Sequence, residues 1–383
     1  MSQRLKTDWI LFPTVLIMVS LGLLVIYSAS SVTAEMDLQS RWFFVIRQSA
    51  WALASVAVMM TLKKTHYKRL NSAAVAFSAI GITFILLVLV FILDAKSHRW
   101  LKAGSLSLQP SELAKPALVV FLAYFVTWRG RAINNWKYTL LPAAVLVGLV
   151  IVGVVIPDLG TAVVLGIAAG VIFFVAGLEK RYCAVVAGIA LLGVIASIAV
   201  RPYRLARVVQ WVDPQYKRLD RLDPSGKIKA TLQSSMQNSL ATRDTGYQSE
   251  QSKIAVGAGG ATGLGIMNGK QKLYLPASHT DFIYAVVAEE MGLIGAAGLL
   301  LGFGVIFWRG LRAAWRMHDD FGRYLALGVT IVIVVQGLIN MSVVLGMMPT
   351  KGLPLPMISY GGSSLLSTLA LMGILMNVSE HAG

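Results

Sequence analysis

The sequence predicts an all-α polytopic membrane protein, and three observations predict it. First, 56% of the 383 residues are hydrophobic and only 14% are charged, against roughly 25% charged in an ordinary soluble domain; the mean hydropathy is +0.69. Second, about ten apolar runs approach the ~20 residues that a helix needs to cross a bilayer. Third, the short connections between those runs alternate between strongly and weakly basic.

The runs fall at about 8–30, 42–61, 74–94, 111–128, 139–156, 161–178, 182–200, 282–308, 322–346 and 363–378. The run from Trp9 to Ala29 is longer than the apolar core of a cleavable signal and leads into no clear cleavage site, so it reads as a retained first span. One set of connections carries fifteen basic residues, among them Arg4, Lys6, Lys63, Lys64, Arg129, Lys180, Arg309 and Arg312. The opposite set carries seven: Arg41, Arg47, Lys96, Arg99, Lys102, Lys115 and Lys351. Short basic loops stay in the cytoplasm. Both termini are therefore expected inside, with the long segment 201–281, between spans seven and eight, outside. The chain reads as a single membrane domain, 1–383, with 201–281 as its large extracytoplasmic loop.

The net charge of +16 could suggest nucleic acid, but its placement follows the membrane and not a binding face. A lone cysteine, Cys183, excludes a disulfide framework. Five scattered histidines offer no metal-ligand spacing. Within 201–281, Asp213-Pro214 and Asp223-Pro224-Ser225-Gly226 signal turns. The glycines from Gly257 to Gly263 miss the dinucleotide spacing, because Thr262 stands where the third glycine belongs. They suggest close backbone packing, or backbone approach to a lipid head group.

Ionisable residues near the apolar runs are costly and are functional candidates by default. Glu112 and Lys115 lie three apart at the start of span four and share a helix face. They are either a self-neutralising pair or a carboxylate holding a lysine toward an anionic substrate. Asp158, in Pro157-Asp158-Leu159-Gly160-Thr161, reads as a helix start. Glu289 and Glu290 lie within span eight, with Arg47 or Lys115 as possible pairing partners. Asp281 opens span eight at the outer boundary, where it is wet enough to exchange protons and dry enough for a raised pKa. It could equally be that helix's N-cap. The proline- and glycine-rich stretch Pro349–Ser364 is irregular backbone, tolerated at membrane depth only inside protein or along a cavity; it suggests an outward-facing cavity beside Asp281.

Taken in order, several short segments resemble the SEDS family (RodA/FtsW/SpoVE). They are Arg47-Gln48, Arg99-Trp100, Gln109-Pro110-Ser111-Glu112 with Lys115, Pro157-Asp158-Leu159-Gly160-Thr161, and Gly246-Tyr247-Gln248. The most specific are His279-Thr280-Asp281-Phe282-Ile283 with Glu289-Glu290, and Gly352-Leu353-Pro354-Leu355-Pro356 with Ile358-Ser359-Tyr360-Gly361-Gly362. Thr350-Lys351-Gly352-Leu353 is similar to the division type of that family. Three features depart from the family's pattern: Ile156, Ala277 and the length of the stretch 213–245.

The resemblance implies a peptidoglycan glycosyltransferase that polymerises lipid II at the outer face of the cytoplasmic membrane. It also implies a class B penicillin-binding protein, a single-span transpeptidase, as partner, together with other division proteins and membrane lipid but no nucleic acid. The family's essential aspartate falls on Asp281, as general base. Arg47, Arg99, Lys115 and Lys351 become candidates to neutralise undecaprenyl pyrophosphate, with Glu112 orienting Lys115. His279 and Ser359 join them as substrate-binding candidates from the same motifs. Any Mg²⁺ or Mn²⁺ would be held mainly by the substrate pyrophosphate. A lipid II flippase, a non-catalytic division scaffold, and an elongation-type role in place of the division type are the competing readings. A flippase needs ionisable groups at both faces and the midplane, whereas these motifs cluster on the outer side.

Overall fold

The computed structural model describes all residues except 1–7, 95–96, 105, 214–222, 224–229, 233, 235–244, 277 and 383. Arg4, Lys6, Lys96, Ala277 and nearly all of the 213–245 stretch thus lie outside the described residues. The helices are α1 Leu11–Leu38, α2 Phe43–Lys64, α3 Ala73–Leu93, α4 Pro110–Arg129, α5 Leu141–Val155, α6 Leu159–Val175, α7 Lys180–Ala199 and α8 Pro202–Val212. They continue as α9 Thr245–Gly259, α10 Ile283–Arg316, α11 Asp320–Val344 and α12 Gly362–His381. A two-stranded antiparallel hairpin, β1 Leu101–Ala103 and β2 Leu106–Leu108, joins α3 to α4 and pairs Leu101 with Leu108.

Nine helices among the described residues are long and apolar enough to cross a membrane. The chain is a multi-pass membrane protein. The tenth expected run is α6, whose 17 residues rise only about 26 Å at 1.5 Å each, short of a ~30 Å hydrocarbon layer. The fifth run begins earlier than expected, because a π-helical turn, Trp136–Leu140, leads into α5. The centre of the bundle is α4, α11 and α12, whose apolar side chains are buried almost all round. By contrast, α7 buries none of its residues.

Span eight is not one straight helix. At Gly292 the backbone turns to φ 63° and ψ −159°, breaking α10 after Met291. The break frees backbone groups, and the glycine-rich stretch after α9 satisfies them. Leu264 N–H donates to the Glu289 carbonyl (3.0 Å) and Gly265 N–H to that of Glu290 (2.9 Å). In return, Leu293 N–H donates to Gly260 (2.9 Å). The close backbone packing expected of these glycines is therefore present, against a broken helix.

The far end of the bundle is tied by charges. Asp8 accepts from Arg309 (2.7 Å) and from the Ser379 hydroxyl (2.8 Å). Lys63 pairs with Glu380 at 2.9 Å. These contacts fix α1, α2 and α10 to the C-terminal helix α12.

Candidate active site

The irregular stretch between α11 and α12 carries the site, and the bundle satisfies its backbone. Leu353, Leu355 and Ile358 are buried. From α11, Gln336 donates to the Pro354 carbonyl (2.8 Å), and Asn340 donates to both Leu353 (2.7 Å) and Asp281 (2.8 Å) carbonyls. Ser359 donates to the Thr280 carbonyl (2.6 Å) and accepts from Leu355 N–H (2.8 Å). Tyr360 N–H donates to the His279 carbonyl (2.9 Å). Gln48 of α2 donates to the Ser359 carbonyl and accepts from Gly361 N–H (3.1 Å). These bonds lock residues 279–281 and 353–361 together, so the segment is buried inside protein and its position is fixed.

Asp281 stands above this frame, partly accessible. It does not cap α10: Phe282 occupies the N-cap position and no side chain caps the helix. Burial pushes its carboxyl up to about 6; Arg99 and Arg207 pull it down and Asp158 pushes it further up. Arg99 donates to the Gly352 carbonyl (3.1 Å) and lies 4.0 Å from Asp158. Its turn is set by Asp94, whose carboxylate accepts from the backbone N–H of Arg99 (3.1 Å) and Trp100 (3.2 Å). Asp158 caps α6, accepting from Thr161 N–H (3.1 Å) and hydroxyl (2.7 Å), as its sequence context predicts.

Of the expected site residues, Asp281 and Arg99 meet at Gly352, while Lys351 faces Asp158 and Arg204. Burial lowers the Lys351 ammonium, and Asp158 raises it. Arg47 acts on Tyr360 instead, where its charge lowers a phenol that burial raises. His279 packs its ring on Phe44 (4.8 Å) and Tyr360 (5.7 Å), and burial lowers its pKa.

Glu112 and Lys115 lie beneath the site. Lys115 donates to Glu112 (2.7 Å) and to Gln336 (2.6 Å), with 1% and 0% of the two paired side chains exposed. The pair thus bears on the glutamine that holds Pro354, and the ammonium faces inward. Glu289 and Glu290 pair with neither Arg47 nor Lys115. Glu290 binds Lys272 (2.7 Å) and the Ser28 hydroxyl (2.5 Å), and Glu289 accepts from Lys270 and Gln271 N–H (2.7 and 2.9 Å). Lys272 is closer because the glycine-rich stretch folds back onto the helix break.

Sequence reasoning missed Arg204 and Arg207 on α8. Arg207 donates to the Thr350 carbonyl (3.1 Å), and Trp211 donates to that of Gly346 (2.9 Å). Arg204 binds the Val155 and Ile156 carbonyls (2.7 and 3.0 Å). The signal was present: residues 204, 207 and 211 recur at helical spacing and share a face.

The family model described as "Cell cycle protein", that of the FtsW, RodA and SpoVE proteins, matches residues 8–383. The chain belongs to the FtsW/RodA/SpoVE family. It is 36% identical over 381 residues to a "Probable peptidoglycan glycosyltransferase FtsW" of Geobacter sp. (strain M18), covering 98% of this chain and 97% of that one. It is 34% identical to the "Stage V sporulation protein E" of Bacillus subtilis (strain 168), covering 100% and 99%. Among solved structures, a chain from work on a peptidoglycan synthase complex that coordinates polymerization and crosslinking superposes with a TM-score of 0.74 at 28% identity, over 99% of both chains. The rod shape determining protein RodA of Thermus thermophilus gives 0.68 at 27%, over 98% of this chain and 97% of that one. The match to the FtsW/RodA/SpoVE family thus extends over nearly the whole chain.

Proposed function

We propose that this protein is a division-type peptidoglycan glycosyltransferase, polymerising lipid II at the outer face of the cytoplasmic membrane. The observation that carries this reading is Asp281, a carboxylate with a raised pKa set among cations on a braced backbone. The reaction joins the 4-hydroxyl of a GlcNAc to the anomeric carbon of a MurNAc. The anomeric carbon–oxygen bond to undecaprenyl pyrophosphate breaks, and the hydroxyl proton passes to Asp281. A positioned base contributes roughly 10² to 10⁴ in rate. Arg99 and Lys351 supply the positive charge that the departing diphosphate requires. Glu112, Lys115, His279 and Ser359 act through the backbone that they hold, and Arg47 through Tyr360.

A divalent cation fits this donor set only as a substrate-borne ion. Among the described residues, no three His, Cys, Asp or Glu side chains gather, and both Asp158 oxygens serve Thr161. Any Mg²⁺ or Mn²⁺ would be held mainly by the substrate diphosphate and would add positive charge against the leaving group.

The partner in this reading is a class B penicillin-binding protein, with other division proteins beyond it; the likeness to a chain from a peptidoglycan synthase complex supports a partnered enzyme. Residues 1–383 act as one membrane domain, with both termini in the cytoplasm and 201–281 outside. Polymer formation from lipid II by the purified chain with its transpeptidase tests the activity; no polymer in any lipid or metal condition returns the flippase or scaffold reading. In a Cys183→Ala background, an impermeant thiol reagent applied outside should label Ser234→Cys and spare His318→Cys. Both sites are exposed, so the reverse pattern overturns the topology.

A further inference from the structure

Two arginines flank Asp281 with part of their hydrogen-bonding capacity unused. Arg99 binds the Gly352 carbonyl and Arg207 the Thr350 carbonyl, each at 3.1 Å, so they grip one segment two residues apart. The Nε of each is buried without a hydrogen-bond partner. A guanidinium presents five N–H donors in a rigid fork, matched to the oxygens of phosphate. Such a fork can hold a carbonyl with one N–H and a phosphate oxygen with another. The Arg207 guanidinium also sits 4.3 Å from the Tyr203 ring, which restricts its orientation. Lys351 lies between Thr350 and Gly352, and the cations around Asp281 and Asp158 outnumber the two carboxylates.

We propose that Arg99 and Arg207 form a clamp for the diphosphate of a prenyl-diphosphate sugar, each arginine taking one phosphate. This deepens the glycosyltransferase reading and rests on it. As the acceptor oxygen bonds to the anomeric carbon, the electron pair of the breaking carbon–oxygen bond goes to the diphosphate. The clamp neutralises that charge while Asp281 takes the hydroxyl proton. Arg207 reaches the site from α8, in the extracytoplasmic segment, so the docking of α8 on Gly346–Thr350 completes the clamp.

The test measures binding of geranylgeranyl diphosphate, geranylgeranyl monophosphate and inorganic pyrophosphate to the full chain in lipid nanodiscs. The wild type should prefer the diphosphate lipid over the monophosphate, and pyrophosphate should compete for the same site. Arg207→Gln should weaken diphosphate binding by about tenfold or more and monophosphate binding by less than about threefold, with Arg207→Lys in between. Arg181→Gln, which removes an exposed ion pair with Glu179 away from the site, should change neither. Arg207→Gln binding the diphosphate as the wild type does, or losing both lipids equally with a lowered melting temperature, overturns the clamp. Asp281→Asn should keep diphosphate binding and lose polymerisation. Polymerisation by that variant would remove the base and leave the clamp standing, so the two proposals fail separately.

Discussion

Gly352 stands directly against Asp281. A β-carbon at Gly352 would lie 3.0 Å from the Asp281 Oδ2 and 3.7 Å from the Arg99 Nη1. The first distance forces the carboxylate to give by a few tenths of an ångström; the second is ordinary contact. Misplacing a reacting group by ~1 Å costs on the order of 10² in rate. Gly352→Ala should therefore slow polymerisation by roughly tenfold with little change in melting temperature. Initial rates on lipid II beside thermal unfolding check this, and an unchanged rate would mean that the carboxylate need not sit where it does.

The Glu112–Lys115 pair is a brace in this structure, and brace and substrate contact predict different failures. Removing one partner of a buried pair leaves an uncompensated charge and costs about 3–5 kcal/mol. Lys115→Met should lower the melting temperature sharply and reduce accumulation in the membrane. The double variant Lys115→Met/Glu112→Gln should recover much of that loss. If Lys115→Met instead keeps its stability and loses polymerisation alone, the lysine meets substrate.

The break at Gly292 should be intolerant of side chains on both of its walls. Gly292 and Gly263 both take positive φ, 63° and 83°, and their backbones are in mutual contact. Gly263→Ala would drive a methyl into the Glu290 carbonyl. It should abolish folding, read as loss of a monodisperse peak in detergent. Gly257→Ala, with open space around its α-carbon, should leave the protein unchanged.

How much of this was legible in the sequence depends on the range of the interaction. Hydropathy reports local transfer from water to lipid, so the spans emerged, together with Asp158 at a helix start. The broken eighth span did not, because an apolar run containing Gly292 has the same hydropathy whether straight or kinked. Asp281, Arg99 and Lys351 stood out through short motifs; the structure sets Asp281 and Arg99 at Gly352 and Lys351 near Asp158. The true partner of Glu290 was hidden, because Lys272 reaches it only once the glycine-rich stretch has folded back. Arg207 was passed over in a polar loop, although its spacing with Arg204 and Trp211 already marked a helix face.

Asp281 yields the most demanding expectation, because its raised pKa affects rate and stability in opposite directions. With a folded value of about 6 against 3.8 ordinarily, the carboxyl is about nine-tenths ionised at pH 7, half at pH 6 and about a tenth at pH 5. Polymerisation should fall along an acid limb centred near 6. Asp281→Asn, which keeps size and the backbone bond from Asn340, should lose about 10² to 10⁴ in rate. For stability, the folded chain holds a proton between pH 4 and 6 that the unfolded chain has released. Stability therefore rises as pH falls through 6 toward 4, and at pH 7 the wild type bears the full penalty of a buried charge. The asparagine variant escapes that penalty, so it should melt higher than the wild type at pH 7, with the gap closing toward pH 4. A variant that polymerises normally would show that Asp281 is not the base. One that melts lower at pH 7 would show that Arg99 and Arg207 stabilise the carboxylate more than burial destabilises it.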